Sequence, residues 1–152
     1  MASPLSDGLG FTIGLDFSDV YTSFCVLDPH GDAVEEGKVR TSPQGLKRRF
    51  ADQASTRVVL EVRTHSPWAS KLLEGFGHEV IVANPWKVRL MAASIKKNDR
   101  SDAETLARLG RVDPALLSPV THRDLVGSNL KALALRVVCG ALKLHKDCRL
   151  RA

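Results

Sequence analysis

The run Arg57-Val-Val-Leu-Glu-Val62 does most to limit the architecture open to this chain. A near-continuous apolar stretch of this length fits a strand buried on both faces, the condition of a central strand in a parallel sheet. A parallel strand needs helical crossovers to cover it, and the chain supplies one on each side. Ser42-Pro43 before the run and Ser66-Pro67 after it both read as an N-cap followed by a first helical residue. Leu46 and Phe50 give the first helix an apolar stripe. Trp68, Leu72, Leu73 and Phe76 do the same for the second, which Gly75 or Gly77 can end. Glu79 to Ala83 reads as the next strand, closed by Asn84-Pro85. Two further helices are expected, Trp86 to Ala93 and Asp99 to Leu109, the latter stopped by Gly110.

Upstream of the first helix the periodicity changes. Phe11 to Phe17 reads as a strand with Ile13, Leu15 and Phe17 on one face and Gly14 and Asp16 on the other. Val20 to Leu27 is a second strand, and Ala33 to Arg40 a third after the turn Asp28-Pro-His-Gly-Asp32. Connections this short make an antiparallel meander. The fold class is therefore α/β, a mixed sheet in the order β-β-β-α-β-α-β-α with helices on its faces. Sites in such sheets form beyond the carboxyl ends of the parallel strands. Asp16 and Glu61 stand near those ends, and a carboxylate in a strand needs a partner or a metal. If the two strands are neighbours, the side chains converge.

A second pair of acids lies in Lys96-Lys97-Asn98-Asp99-Arg100-Ser101-Asp102-Ala103. At i and i+3 of a helix, Asp99 and Asp102 would share one face. The plain alternative is a solvated helix start, where Asp is common. Lys87, Arg89, Lys96, Lys97 and Arg100 crowd the approach and suit a phosphate backbone. Arg108, two turns on from Arg100, either extends that side or is solvated. Residues 1–120 carry 15 basic and 15 acidic residues, and residues 121–152 carry 7 and 2, so the whole net charge of +5 lies in the tail. A basic tail on a neutral domain points to nucleic acid or another polyanion.

The expected organisation is a disordered segment 1–9, a domain 10–121 and a basic helical tail 122–152, with helical spacing at Leu130, Leu133, Val137 and Leu144. No apolar run approaches the roughly 20 residues of a membrane span, and no signal peptide is legible, so a cytoplasmic location is expected. Cys25, Cys139 and Cys148 are odd in number and far apart, which favours reduced thiols, with Cys25 in the core. Cys139, His145 and Cys148 are an incomplete set for structural zinc. Trp68 and Trp86 read as core or interface rather than base-stacking platforms, and His65 as a turn residue that could touch a phosphate.

Four carboxylates, Asp16, Glu61, Asp99 and Asp102, meet the needs of a two-metal phosphoryl-transfer site, because Mg²⁺ takes oxygen ligands and keeps several waters. At these residues the chain resembles a family. Ile-Gly-Leu-Asp16, Val-Leu-Glu61, Lys97-Asn-Asp99-Arg-Ser-Asp102-Ala-Glu-Thr-Leu-Ala and Gly77-His-Glu-Val-Ile-Val-Ala-Asn-Pro85 are similar to the N-terminal domain of the DEDD transposases of the "IS-one-ten" insertion-sequence group, relatives of the Piv-type invertases. The likeness covers about residues 11–121. It implies a RuvC-like, ribonuclease-H-type fold and Mg²⁺- or Mn²⁺-dependent cutting and joining of DNA. In some members a structured guide RNA directs the reaction, and a homo-oligomer is implied. Two departures stand out. Val62-Arg-Thr-His-Ser-Pro67 replaces the family's Thr-Gly-aromatic pattern, which implies an altered rim. The chain also stops at Ala152, where the family continues into a second domain bearing a serine nucleophile, so incomplete recombination by this chain alone is expected. The competing readings are a stand-alone RuvC-like junction nuclease and a non-catalytic nucleic-acid-binding remnant. The actin-like sugar kinases also open on an aspartate-bearing hairpin, but they want glycines next, where Phe17-Ser18 follows here.

Overall fold

The computed structural model describes residues 10–94 and 101–117. Within them five strands form one mixed sheet: β1 (Thr12–Phe17), β2 (Tyr21–Leu27), β3 (Ala33–Arg40), β4 (Arg57–Glu61) and β5 (Glu79–Ala83), in the spatial order β3-β2-β1-β4-β5. The hairpin-linked pairs β1–β2 and β2–β3 are antiparallel; β1–β4 and β4–β5 are parallel. Two helices lie in the crossovers to the parallel strands, α1 (Pro43–Phe50) and α2 (Ser66–Gly75), and two follow β5, α3 (Pro85–Ser94) and α4 (Asp102–Val112), with a 3-10 turn at Pro114–Leu117. The element order is β-β-β-α-β-α-β-α-α, with both helices expected after the fifth strand present as α3 and α4. This mixed α/β arrangement is compatible with a ribonuclease-H-like fold. No helix among the described residues is long and apolar enough to cross a membrane. The basic tail 122–152 lies outside the described residues.

Strand periodicity sorts the core into two layers. Ile13, Leu15 and Phe17 point with Phe24, Val26, Val58, Leu60 and Val82 toward α1 and α2, where Leu46, Phe50, Ala69 and Leu73 meet them. On the other face Val59, Ile81 and Ala83 pack with Val88, Leu106, Leu109 and Leu117, while Cys25 and Leu27 meet Ala103 and Ala107. Burial pushes the Cys25 thiol up to about 12, with Glu36 adding to it. The thiol is an inert core group, as expected.

α4 lies hard against the sheet because two glycines let it. A Cβ on Gly14 would stand 1.8 Å from the Ala103 carbonyl oxygen. A Cβ on Gly110 would stand 2.2 Å from Val59 Cγ2. Gly110 is therefore not the expected stop: the helix runs through it to Val112, and its small size serves close packing. The start also differs. Ser101 is the N-cap, extended at φ −65° and ψ 153°, and its hydroxyl accepts from the Glu104 N–H at 3.1 Å. Ser-x-x-Glu is a capping box, and it places the helix start at Asp102 rather than Asp99. Asp102 thus stands in the first turn of α4, and Asp99 lies outside the described residues.

The far end of α4 is tied to the β2–β3 turn. Asp28 Oδ1 accepts from the N–H groups of His30 and Asp32, which lower its pKa, and Gly31 takes φ +92°. Arg108 donates to the Gly31 carbonyl at 3.0 Å and to Glu104 at 2.8 Å, and Arg111 donates to the Asp28 and Pro29 carbonyls. Arg108 is thus neither a phosphate-facing residue nor a solvated one; it fastens α4 to a turn.

Candidate functional site

β1 and β4 are in register from Thr12 opposite Arg57 to Leu15 opposite Leu60. One residue further along stand Asp16 and Glu61. Gly14 and Val59 face α4, and side chains alternate along a strand, so both carboxylates also point to the α4 face. They sit at the carboxyl ends of two adjacent parallel strands, the position at which open α/β sheets place their chemistry. Asp102, at the first turn of α4, is exposed and near enough for its charge to bear on Asp16.

Burial raises the Asp16 pKa above the usual carboxylate range; Arg63 opposes the shift and Asp102 adds to it. Glu61 is raised by the same desolvation, with Arg63 and then Arg89 opposing it and Asp16 adding to it. Two half-buried acids that repel each other need a cation. Arg63 supplies one. One guanidinium nitrogen, Nη2, lies 3.2 Å from Glu61 Oε2 and 3.8 Å from Asp16 Oδ1.

Arg63 is a site residue that sequence reasoning missed. Its signal was a base two residues after the strand glutamate, inside a segment noted only for departing from a family pattern. Ser66 was read as an N-cap and does something else. His65 occupies the cap position without a side-chain cap bond, and Pro67 falls one residue deeper in the helix than expected. The buried Ser66 hydroxyl accepts from the Arg63 N–H at 2.6 Å and donates to the Glu61 carbonyl at 2.8 Å. It stitches together the turn that carries both residues.

A hollow of about 370 Å³ opens beside the acids, lined by Phe17, Ser18, Asp19, Arg63, Thr64 and His65. His65 accepts from Trp68 Nε1 at Nδ1 (3.3 Å), stacks against Phe17, and has Nε2 3.7 Å from Asp19 Oδ1. Trp68 packs on the core, as its helical spacing implied. The rim is therefore built from the segment Arg63-Thr64-His65.

Of the remaining sequence-derived candidates, Lys87 and Arg89 are exposed on α3, and Arg89 is close enough to influence Glu61. Asp99, Lys96, Lys97 and Arg100 lie outside the described residues. Among the described residues, no group of three or more His, Cys, Asp or Glu side chains is arranged to hold a metal ion. What the structure brings together is a carboxylate pair, Asp16 and Glu61, with Asp102 within electrostatic reach. The donor chemistry suits a hard divalent cation, since carboxylate oxygens are what Mg²⁺ and Mn²⁺ take.

Residues 13–137 match the family model for DEDD transposases of the IS110 type, described as a transposase. No curated protein matches the chain.

Proposed function

The chain belongs to the DEDD transposase family of the IS110 type, and on that premise we propose that its sheet and helices form a RuvC-like, ribonuclease-H-type catalytic domain that cuts and joins DNA. The observation that carries this reading is the pairing of Asp16 with Glu61 on adjacent parallel strands, on one face, around a single guanidinium. Asp16, Glu61 and Asp102, with Asp99, would hold Mg²⁺ or Mn²⁺. Bound there, the ions would supply an activated oxygen nucleophile and charge stabilisation at phosphorus.

The protein's own residues do the rest. Burial keeps the two strand acids in a poorly hydrated setting where charge interactions are strong. Ser66 fixes the backbone from Glu61 to Arg63. Lys87 and Arg89, with Lys96, Lys97 and Arg100, supply phosphate contacts on the approach. DNA is the proposed partner, with a structured guide RNA and further copies of the chain as the partners that the family reading implies. Whole recombination calls for a serine nucleophile from a second domain in this reading.

The test is a melting curve and a nicking assay run together. Millimolar Mg²⁺ or Mn²⁺ raises the melting temperature of the wild type, because a ligand of the folded state stabilises it. Asp16→Asn with Glu61→Gln abolishes that rise and any metal-dependent nicking. A wild type with no metal response removes the catalytic reading. It leaves a second one, a nucleic-acid-binding domain without cleavage, which is favoured by the neutralisation that Arg63 already supplies.

A further inference from the structure

The sheet face that carries Asp16 continues past the start of α4 toward the β3 edge. The register fixes what lies there. Asp16 is opposite Ser23, and Ser23 is opposite Lys38. Two residues further along, Tyr21 is opposite Arg40. Directly opposed residues point to the same face, and so do residues two apart along a strand. Cys25 and Glu36, the preceding pair, confirm which face it is: Cys25 packs under Ala103 and Ala107, and Glu36 accepts from the Ser101 hydroxyl at the α4 N-cap. Asp16, Ser23, Lys38, Tyr21 and Arg40 therefore share one surface with the carboxylate pair.

That surface is open and cationic at its outer end. Lys38 and Arg40 are exposed, and neither makes an ion pair among the described residues. The Arg40 guanidinium stands over the Tyr21 ring at 5.6 Å, and that ring is 48% exposed. The nearest acid on this face, Glu36, is engaged by Ser101. An edge strand often carries lysine simply to discourage pairing with other chains. That purpose does not account for an arginine stacked on an exposed tyrosine in line with an acidic site.

We propose that Lys38, Arg40 and Tyr21 form a track for one DNA strand, which crosses β3 and β2 and enters the site at Asp16. The inference rests on the catalytic reading for the identity of the strand as DNA, while the geometry of the track stands by itself. Two inter-strand spacings separate Lys38 from Asp16, or about 10 Å. The track thus grips the backbone close to the phosphate presented to the acids. Lysine and arginine hold the phosphates, and the arginine–tyrosine stack offers a platform for an unpaired base.

The experiment is a salt titration of a labelled single-stranded DNA with the full chain and with Lys38→Ala/Arg40→Ala. Loss of two phosphate contacts lowers the log–log salt slope by about 1.4, at about 0.7 per contact on a single strand. Tyr21→Ala weakens single-strand binding by about 5- to 100-fold while altering the slope little. Lys47→Ala/Arg48→Ala removes two exposed cations from α1, on the opposite face, and leaves the slope unchanged. Melting temperatures measured alongside show that each variant is folded.

A slope unchanged in Lys38→Ala/Arg40→Ala overturns the track, as does an equal fall in the α1 control. Loss of binding to an RNA strand, with DNA binding kept, overturns DNA as the occupant. The Mg²⁺-induced rise in melting temperature separates this proposal from the catalytic one, because the track variant keeps all its acids. A lost slope without any wild-type metal response would keep the track and remove the catalysis.

Discussion

Gly14→Ala is the change that most directly tests how α4 is held over the site. The added Cβ would stand 1.8 Å from the Ala103 carbonyl oxygen, 2.7 Å from the Ala107 nitrogen and 2.9 Å from the Ala103 carbonyl carbon. A close carbon–oxygen contact is about 3.3 Å, so α4 must withdraw by about 1.5 Å. All three obstacles are backbone, and no rotamer change relieves them. A radial gap of 0.5–1 Å already forfeits about a quarter to a half of a contact's attraction. The side chains affected are Ala103, Leu106, Ala107 and Leu109, all buried. Full burial of a leucine is worth about 1.5–3 kcal/mol. Losing half or more of that at each of the two leucines costs at least about 1.5–3 kcal/mol, the usual range for overpacking. At about 2–4 °C per kcal/mol for a chain of 152 residues, the melting temperature falls by at least ~3 °C. Gly75→Ala is the matched control: nothing lies within 4 Å of its Cβ, and alanine in a helix gains up to ~1 kcal/mol over glycine. Thermal and urea unfolding measure both. A Gly14→Ala midpoint within about 2 °C of wild type would refute the packing of α4 on β1, and with it the reach of Asp102 to Asp16.

Further outcomes follow from the same contacts. Gly110→Ala costs about 1–3 kcal/mol because its Cβ meets Val59 Cγ2 at 2.2 Å. Here the obstacle is a side chain, so adding Val59→Ala makes the double variant's cost smaller than the sum by at least ~0.5 kcal/mol in a denaturation cycle. Ser66→Ala strands the Arg63 N–H and the Glu61 carbonyl, costs about 1–3 kcal/mol in urea unfolding, and weakens the metal response. For Asp16 and Glu61 the folded pKa lies above the unfolded one, chiefly through burial. Between those values the folded state holds more protons than the unfolded chain, so metal-free stability falls as pH rises through the window just above the ordinary carboxylate range. Asp16→Asn therefore raises the melting temperature near neutral pH without metal, and on the proposed metal reading it reduces any metal-induced rise.

The sheet and its order of elements were legible because the signals were local. Alternation set the faces of β1, the apolar run of β4 announced a central strand, and Ser42-Pro43 capped α1 as read, with Ser42 Oγ accepting from the Gly45 N–H. The convergence of Asp16 with Glu61 was legible only as a condition, since it requires β1 and β4 to be neighbours, and strand order is a long-range fact. The misreadings share a cause. Gly110 has the composition of a helix stop, but a buried valine of β4 across the interface decides its role. Ser66 has the composition of a cap, but its hydroxyl bonds back into the preceding turn. Arg108 carries a charge that sequence alone assigns to phosphate or to water, whereas a turn far away in the chain supplies the acceptor.

Arg63 gives the charge balance of the site its direction. One guanidinium sets a single positive charge against Asp16 and Glu61, with Asp102 adding to the negative side. Both strand acids still have raised pKa values, so the arginine compensates them incompletely. A divalent ion offers twice the charge at oxygen-ligand distances of about 2.0–2.1 Å, shorter than either arginine contact. On the proposed metal reading, the acids would exchange the arginine for the ion. Half of the Arg63 side chain is exposed, which leaves it free to turn outward when displaced. The phosphate that an ion would draw in is the natural partner for a guanidinium so released. Arg63→Ala separates the two states. Without metal the acids lose their counter-charge and the melting temperature falls. With Mg²⁺ the deficit shrinks, because the ion replaces the missing charge, so the variant shows a larger metal-induced rise than the wild type. An equal or smaller rise would mean that Arg63 does not occupy the position the ion would take.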